Sequence, residues 1–221
     1  MQEYHLPVLP RETIDALDIK PSGIYVDVTF GGGGHSKMIL EKLGHDGRLY
    51  VMDQDLDVIG NIPDDDRVVF IHSNFRYMRR MLRVEGVSQV DGILADIGVS
   101  SHQFDTGERG FSFRFEGDLD MRMNRNQPVT AAEIISDYSE SALVEMFSGL
   151  GEVRNAKTLA KLIVDIRSKR KIKTIEELVY CIQPAIMGNK AKYLAQVFQA
   201  LRIEVNDELK ALEDLLCDAV D

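Results

Sequence analysis

The sequence predicts an α/β protein: a doubly wound, mostly parallel sheet followed by a helical region. Short segments rich in β-branched and aromatic residues alternate with helical segments as far as residue 96, and such alternation is typical of a parallel sheet. Four consecutive glycines, residues 31–34, separate the first strand from a helix, as at the ligand-binding corner of such a sheet. From residue 128 onward the periodicity is helical.

The elements follow from runs of Val, Ile, Leu and aromatic residues bounded by turn residues. The predicted strands cover residues 24–28, 48–52, 67–72 and 90–96. Helices are predicted at residues 11–17 and 76–84, with a short one from Leu56. In the second half, Thr174 with Glu177 forms a capping box, which marks the start of a helix.

Composition limits the class of protein. The 221 residues are 44% hydrophobic and carry a net charge of −10, which argues against a protein that coats nucleic acid nonspecifically. Cys181 and Cys217 are far apart and have no metal or redox spacing, so no metal site is predicted. The sequence shows no signal peptide and no apolar run of membrane-spanning length. We therefore expect a cytoplasmic protein that does not bind membranes.

The glycine run predicts a ligand site, because the backbone must turn sharply there and let a ligand approach closely. The dinucleotide fingerprint G-x-G-x-x-G fails, since Ser36 or Lys37 occupies the third glycine position. The spacing of Asp27, Gly31 and Gly33 instead resembles the first motif of S-adenosylmethionine-dependent methyltransferases. A carboxylate in that place can accept from the amino acid portion of the cofactor, and the alternative is a tight turn without a ligand.

Further candidate residues stand at the ends of the other strands, where ligands bind in doubly wound sheets. Asp53 follows the second strand at the spacing of an acid that binds the two hydroxyls of a ribose, although a helix N-cap is the alternative. Phe75 follows the third strand and could face an adenine ring or pack in the core. Asp96 ends the fourth strand. Their convergence at the strand ends is stronger evidence for a ligand site than any one of these residues alone.

Two later stretches are candidates for substrate contacts. Residues 97–105 are predicted to form an active-site loop, and residues 106–127 continue it without clean periodicity but with apolar residues that argue against disorder. Residues 167–173 form the strongest basic cluster, which is either a solvated loop or a contact for an RNA backbone.

Several segments together resemble the bacterial small-subunit ribosomal RNA cytosine-N4 methyltransferases, the RsmH (formerly MraW) family. The matching segments run through nearly the whole chain in the family's order: residues 26–36, 96–101 with Gln103, 108–114, 119–123, 151–157 and 198–206. The chain departs from the pattern upstream of Phe198, where a proline and an arginine are absent. It also stops at Asp221, before the family's last strands, so we expect a fragment whose fourth strand has an open edge. Either a partner chain, as in a homodimer, or a rearranged segment of this chain would cover that edge.

The resemblance implies S-adenosyl-L-methionine as cofactor and a cytidine in the decoding region of small-subunit rRNA as substrate, either naked or in the assembled subunit. It implies an α/β cofactor domain over residues 1–106, a helical insert for RNA recognition over 107–201, and a helix over 202–221 that returns to the α/β domain. Cofactor-binding residues are then, with Asp27 and Gly31 from the glycine turn, Gly33, Gly34, His35, Asp53, Phe75, Asp96 and Gln103.

The implied reaction is attack by the exocyclic amine of cytosine on a sulfonium methyl group, which requires a group that accepts the amine N–H bonds. Asp96 is the best candidate, and Asp120 and Ser100 are weaker ones. The predicted substrate contacts are aromatic and basic residues: Phe111, Phe113, Arg114, Arg122, Lys169, Arg170 and Lys171. The alternatives are an RNA-binding or ribosome-assembly protein that keeps the cofactor fold without catalysis, and a nicotinamide oxidoreductase.

Overall fold

The fold was described from a computed structural model, which covers residues 7–220. The chain divides into two units. The first consists of Met1–Ser100 and Leu209–Asp221, and the second of Ser101–Glu208. The predicted insert, residues 107–201, lies within the second unit, which begins earlier and ends later than predicted. Its expected part in RNA recognition stays a prediction.

The first unit is built on a four-stranded parallel sheet. The strands are β1 (Ile24–Asp27), β2 (Arg48–Asp53), β3 (Val68–His72) and β4 (Gly92–Leu94). They lie in the order β3-β2-β1-β4, and every neighbouring pair is parallel. The predicted α/β class with a parallel sheet is therefore confirmed. All four strands end at one edge of the sheet, which brings the candidate residues that follow them to the same place.

The fourth strand is shorter than predicted, because its backbone leaves the ladder after Leu94. The Leu94 carbonyl oxygen still accepts from the Val28 N–H at 2.9 Å. Two residues later the Asp96 N–H donates to Oγ1 of Thr29 at 2.7 Å, so a side chain replaces the next backbone partner. The prediction that this strand covers residues 90–96 was wrong at both ends, and Asp96 lies in the loop beyond it.

Both faces of the sheet are covered, as expected for parallel strands. Tyr25 and its neighbour Val26 lie in different hydrophobic clusters, because successive side chains of a strand point to opposite faces. The helices of this unit are α1 (Pro10–Ala16), α2 (Gly34–Lys42) and α3 (Met78–Val84), with 3₁₀ helices at Leu56–Asn61 and Phe75–Tyr77. The predicted α-helix from Leu56 is thus a 3₁₀ helix, which stops where Ile62 becomes extended before Pro63.

The second unit is helical. It contains α4 (Ser101–Asp105), α5 (Ala131–Asp137), α6 (Glu140–Gly149), α7 (Ala156–Arg167), α8 (Ile175–Ile182) and α9 (Lys190–Asn206), with 3₁₀ helices at Gly107–Arg109 and Gln183–Ala185. The predicted capping box of Thr174 and Glu177 starts α8 and is confirmed. A last helix, α10 (Glu208–Ala219), begins at the end of this unit and carries Leu215 into the core of the first.

Two buried polar side chains fix the long irregular segment that precedes α5. Arg109 is 1% exposed, and its Nη2 donates to the carbonyl oxygens of Arg122 and Met123 at 3.0 and 3.1 Å. Asn206, at the end of α9, accepts from the Met123 N–H at 2.7 Å and donates to the Met121 carbonyl oxygen at 2.8 Å. Few residues of this segment form hydrogen bonds within a helix, so their backbone groups need other partners. The side chains of Arg109 and Asn206 supply these partners and hold the segment in place.

Charge is divided unevenly between the units. The first has a net charge of −9 from eleven basic and twenty acidic residues, and the second a net charge of −1 from fifteen basic and sixteen acidic residues. Within residues 7–220, none of the helices combines the length and the apolar character needed to cross a bilayer. The same part of the chain contains no group of three His, Cys, Asp or Glu residues placed to hold a metal ion.

Candidate cofactor and catalytic site

The glycine turn connects β1 to α2 and requires glycine for two different reasons. Gly31 and Gly33 have φ angles of 50° and 74°, in the left-handed region that residues with a Cβ seldom adopt. A Cβ at Gly33 would lie only 3.0 Å from the Phe30 ring, whereas one at Gly31 would meet nothing nearer than 3.9 Å. Position 31 therefore requires glycine for its backbone angle and not for lack of room, since an added Cβ would meet Ser100 and Thr29 at ordinary van der Waals distance.

Asp27 supports this turn from behind. Its side chain is 1% exposed, Oδ2 accepts from the Ser36 hydroxyl at 2.6 Å, and Oδ1 accepts from the Thr29 N–H at 3.1 Å. Burial raises the pKa of the Asp27 carboxyl, although both hydrogen bonds oppose the shift. Because the side chain is buried and each oxygen has a partner within the turn and helix, the geometry favours a positioning role for Asp27. Its predicted contact with the cofactor stays a prediction.

Asp53 links the end of β2 to the same turn. One carboxylate oxygen accepts from the Gly31 N–H at 2.9 Å and the other from the Asp55 N–H at 2.9 Å. Burial raises the pKa of Asp53 to about 6, against the effect of these two N–H donors. The N-cap of the following 3₁₀ helix is Asp55, which accepts from the Asp57 N–H, so capping does not account for Asp53. A carboxylate oxygen has lone pairs beyond these single bonds and can also accept from hydroxyl groups.

Sequence reasoning missed Asn61, which completes the support of the turn. Its Nδ2 donates to the Gly31 carbonyl oxygen at 3.0 Å, so Asp53 and Asn61 hold the N–H and the C=O of one glycine. Ser36 was also missed as the partner of Asp27, because the sequence analysis used it only to exclude a dinucleotide fingerprint. A hydroxyl at the start of a helix that follows a strand-end acid would have been the signal.

Phe75 lies where the sequence placed it, after β3, at the start of a 3₁₀ helix that Asn74 caps. Its ring is half-buried and packs against the hydrophobic cluster that contains Met52 and Met78. Core packing, the alternative role named for Phe75, is thus observed, and a contact with an adenine ring stays a prediction. The Asn74 Nδ2 donates to Oε1 of Gln54 at 2.9 Å, which joins the ends of β3 and β2.

Asp96 presents its carboxylate at the end of β4. Its side chain is 48% exposed, and Oδ2 lies 3.9 Å from Nδ1 of the buried His35 in α2. The other ring nitrogen, Nε2, lies 3.0 Å from the Val8 carbonyl oxygen; since that oxygen can only accept, Nε2 carries a hydrogen. Both side chains line an open cleft of about 470 Å³ between α1 and β4. Asp96 is accordingly an anchored but accessible acceptor.

Ser100, the last residue of the first unit, lies beside the glycine turn. The position of a Cβ added to Gly31 is 3.9 Å from the Ser100 Cβ. The first unit therefore places Ser100 beside the glycine turn and His35 of α2 near Asp96. Asp53 ends β2 and accepts from the same turn. This grouping is consistent with their predicted roles without testing them.

The remaining predicted residues belong to the second unit. Gln103 is buried in α4, and Phe111 is also buried. The Phe113 ring meets that of Phe198 edge to face, with centroids 5.6 Å apart, and the Arg114 guanidinium lies 4.7 Å from the Phe104 ring centroid. These contacts favour packing for Phe111 and Phe113, the alternative to base stacking, and their substrate roles stay predictions.

Asp120 and Arg122 form a bidentate ion pair. Arg122 Nε and Nη2 donate to the two Asp120 oxygens at 2.7 and 2.8 Å. Burial would raise the pKa of the Asp120 carboxyl, but the hydrogen bonds from Arg122 hold it below its ordinary value. A carboxylate stabilised in this way is a poor proton acceptor, so the geometry favours Asp96 over Asp120 as the catalytic group.

Comparisons with known proteins show the family of the chain. The sequence matches the MraW methylase family over residues 2–221. It is 54% identical over 215 residues to the ribosomal RNA small subunit methyltransferase H of Parabacteroides distasonis, covering 96% of this chain and 70% of that protein. The proteins of the same name from Christiangramia forsetii and Bacteroides fragilis are 51% and 52% identical, and the matches cover 98% and 99% of this chain and 72% of each relative.

The parallel sheet, the glycine turn and the acids at its strand ends define the class: an α/β methyltransferase of the kind that uses S-adenosylmethionine. Within that class, the chain belongs to the MraW methylase family.

Proposed function

We propose that this chain transfers a methyl group from S-adenosylmethionine to N4 of a cytidine in the decoding region of small-subunit rRNA. The observation that carries the proposal is the grouping of a left-handed glycine turn, the Asp53 carboxylate that accepts from the Gly31 N–H, and the exposed Asp96 carboxylate just beyond β4. The names of the relatives support small-subunit rRNA as the substrate.

The residues of the turn fit this cofactor. Residues 31–34 present backbone without side chains, and Gly32 is exposed, so a ligand can approach the main chain closely. Asp53 offers two adjacent carboxylate oxygens at the same place, and these suit the two vicinal hydroxyls of a ribose. Because Asn61 and Asp53 already hold the Gly31 peptide, the turn needs little reorganisation on binding.

The cofactor, when bound, supplies an electrophilic methyl group on a sulfonium. The protein has to hold the attacking amine in line with that group and to accept its N–H bonds as the nitrogen becomes positively charged. Asp96 is fixed through its N–H by Thr29 and exposes its carboxylate, so it can accept from the amine. The charge of that carboxylate also stabilises positive charge that develops on the nitrogen.

Asp53→Ala is expected to weaken S-adenosylhomocysteine binding by about 1–3 kcal/mol, the range for losing hydrogen bonds to a charged acceptor. Calorimetric titration measures the change. Asp46→Ala, which removes a carboxylate that is 87% exposed in a turn, is the matched control and should leave the affinity unaltered. Unchanged affinity in Asp53→Ala would exclude the ribose contact.

Cofactor affinity should also depend on pH through Asp53. Ribose hydroxyls donate to the ionised carboxylate, so binding favours the deprotonated form, and burial raises the pKa of Asp53 to about 6 in the free protein. Affinity should therefore be greatest above pH 6 and fall by up to about tenfold per pH unit below it. The same titrations in Asp53→Ala should lose this dependence, and a parallel decline in both proteins would assign the effect to another group.

Replacing Lys169, Arg170 and Lys171 together by Ala should weaken RNA binding and flatten its dependence on salt, since fewer counterions are released. Fluorescence anisotropy with labelled RNA over a range of salt concentrations gives the slope, and calorimetry should show unaltered cofactor affinity. A control removes the same charge from exposed cations of the first unit, Lys42, Arg80 and Arg83. If both triple variants have the slope of the unaltered protein, residues 169–171 form a solvated loop only.

The proposed function is tested by transfer of labelled methyl groups to small subunits and to naked rRNA that lack the modification, followed by mapping of the labelled nucleotide. Label on N4 of a decoding-region cytidine supports the proposal. RNA binding without transfer would favour an assembly protein that keeps the cofactor fold. Association of two copies stays a separate prediction, which the mass of the protein in solution decides.

A further inference from the structure

The positive charge of the second unit is concentrated in one segment, which includes α7, α8 and the start of α9. Residues 154–192 contain ten Lys and Arg but only three Asp and Glu, a net charge of +7 in a chain of net charge −10. The strongest part is the loop between α7 and α8, where Lys169, Arg170, Lys171 and Lys173 are all exposed. This segment therefore offers the strongest attraction for a polyanion within the second unit.

Two of the three acids in the segment are engaged by the backbone. Glu177 accepts from the N–H groups of Lys173 and Thr174 at 2.7 and 3.2 Å, and Glu176 accepts from the Gly117 N–H at 3.2 Å. Carboxylates at the first turn of α8 are partly neutralised by these donors and by the helix dipole. They consequently reduce the attraction of the neighbouring cations less than free carboxylates would.

An exposed aromatic ring stands next to these cations. Tyr180, in α8, is 66% exposed, so its ring is accessible to a ligand. The Arg170 guanidinium lies 5.3 Å from its ring centroid, and Nη2 of Arg170 donates to Sγ of the buried Cys181 at 3.1 Å. Arg170 is thus held against the tyrosine, while most of the Tyr180 side chain remains open to solvent.

We propose that Tyr180 and Arg170 form a stacking platform for an unpaired base of bound RNA, next to Lys169 and Lys171, which contact phosphates. Aromatic rings and guanidinium planes are the groups on which splayed bases stack, and lysines contact the backbone as point charges. A partner protein with an acidic surface would contact the positive charges but would have no base to stack on Tyr180 and Arg170. The proposal rests on the proposed function and adds to it which residues bind a base and which bind the backbone.

Single substitutions separate the two roles. Tyr180→Ala should reduce affinity for a single-stranded oligoribonucleotide by about tenfold, the effect of losing one stacked base. It should leave the salt slope unchanged, since no cation is removed. Lys169→Ala should instead lower the slope, and Tyr180→Phe should keep the affinity because the ring is retained. Affinity for a duplex of the same sequence should be insensitive to Tyr180→Ala, because paired bases are not available for stacking.

The protein contains no tryptophan, so the fluorescence of a single tryptophan introduced at position 180 reports directly on stacking there. Fluorescence of Tyr180→Trp should be quenched by the single strand and not by the duplex. The control is Tyr77→Trp, at a ring that is 49% exposed in the first unit, which should show no such difference.

Unchanged single-strand affinity in Tyr180→Ala, or an equal loss for the duplex, would overturn the platform while the proposed function stands. Failure of the unaltered protein to bind either RNA would overturn both. Quenching in Tyr180→Trp together with the predicted loss in Tyr180→Ala is the result that supports the platform.

Discussion

Asp96→Asn is expected to lower methyl transfer by about 10²- to 10⁴-fold, the range for losing a positioned proton acceptor. Cofactor affinity should change far less. The substitution keeps the size of the side chain and the N–H bond from Asp96 to Thr29. It replaces a charged acceptor with an amide, which accepts more weakly and does not stabilise positive charge on the amine. Single-turnover transfer with labelled cofactor measures the rate, and calorimetry measures the affinity.

Asp46→Asn provides the matched control for this experiment, since it makes the same chemical change at a carboxylate that is 87% exposed. It should leave both quantities unaltered. Equal losses of rate and affinity in Asp96→Asn would make Asp96 a cofactor-binding residue only. A normal rate would exclude it as the acceptor and direct attention to Ser100.

Asn206→Ala should destabilise the second unit by about 2–5 kcal/mol. The substitution removes the acceptor of the Met123 N–H and the donor to the Met121 carbonyl oxygen, both buried, and each lost partner costs about 1–3 kcal/mol. Hydrogen exchange is the direct readout, because the Met123 N–H should exchange faster in the variant. A lower midpoint of urea unfolding should accompany it.

The control for this prediction is Asn126→Ala, at an exposed asparagine of the same long segment. Its exchange rates and unfolding midpoint should match those of the unaltered protein. If Asn206→Ala left the Met123 N–H protected, other contacts would have to hold the segment, and the role assigned to Asn206 would be wrong.

The sequence predicted the sheet and the positions of its candidate residues well, because both depend on local patterns. A run of β-branched residues marks a strand, and an acid directly after it must lie at the end of that strand. Asp53 and Asp96 could be chosen for this reason alone. In a parallel sheet the strand ends share one edge, so their proximity followed from the fold class without knowledge of any contact.

The partners of these residues could not be predicted in the same way. The hydroxyl that Asp27 binds belongs to Ser36, and its geometry depends on where α2 lies against β1. The early end of β4 depends on Thr29, a side chain that follows the neighbouring strand and accepts from the Asp96 N–H. Neither interaction produces a periodic signal, because each depends on the three-dimensional path of the chain.

The long segment after residue 106 shows the same limit more clearly. Its apolar residues predicted order, but the contact that fixes Met123 comes from Asn206, 83 residues further along the chain. The sequence analysis treated residues 198–206 only as part of a family resemblance. A buried asparagine at the end of an apolar helix is a hint that some backbone elsewhere needs partners, though it does not say which.

The uneven charge of the two units affects how a nucleic acid reaches the protein. With −9 on the first unit and +7 on residues 154–192 of the second, we expect attraction of a polyanion to be strongest near that segment. Such a field acts during diffusion, over roughly 8 Å at physiological ionic strength. It selects productive orientations among encounters before any contact forms, and it suppresses adhesion elsewhere. A strongly acidic enzyme can in this way associate quickly with its RNA and still dissociate readily from the large excess of nonspecific sites.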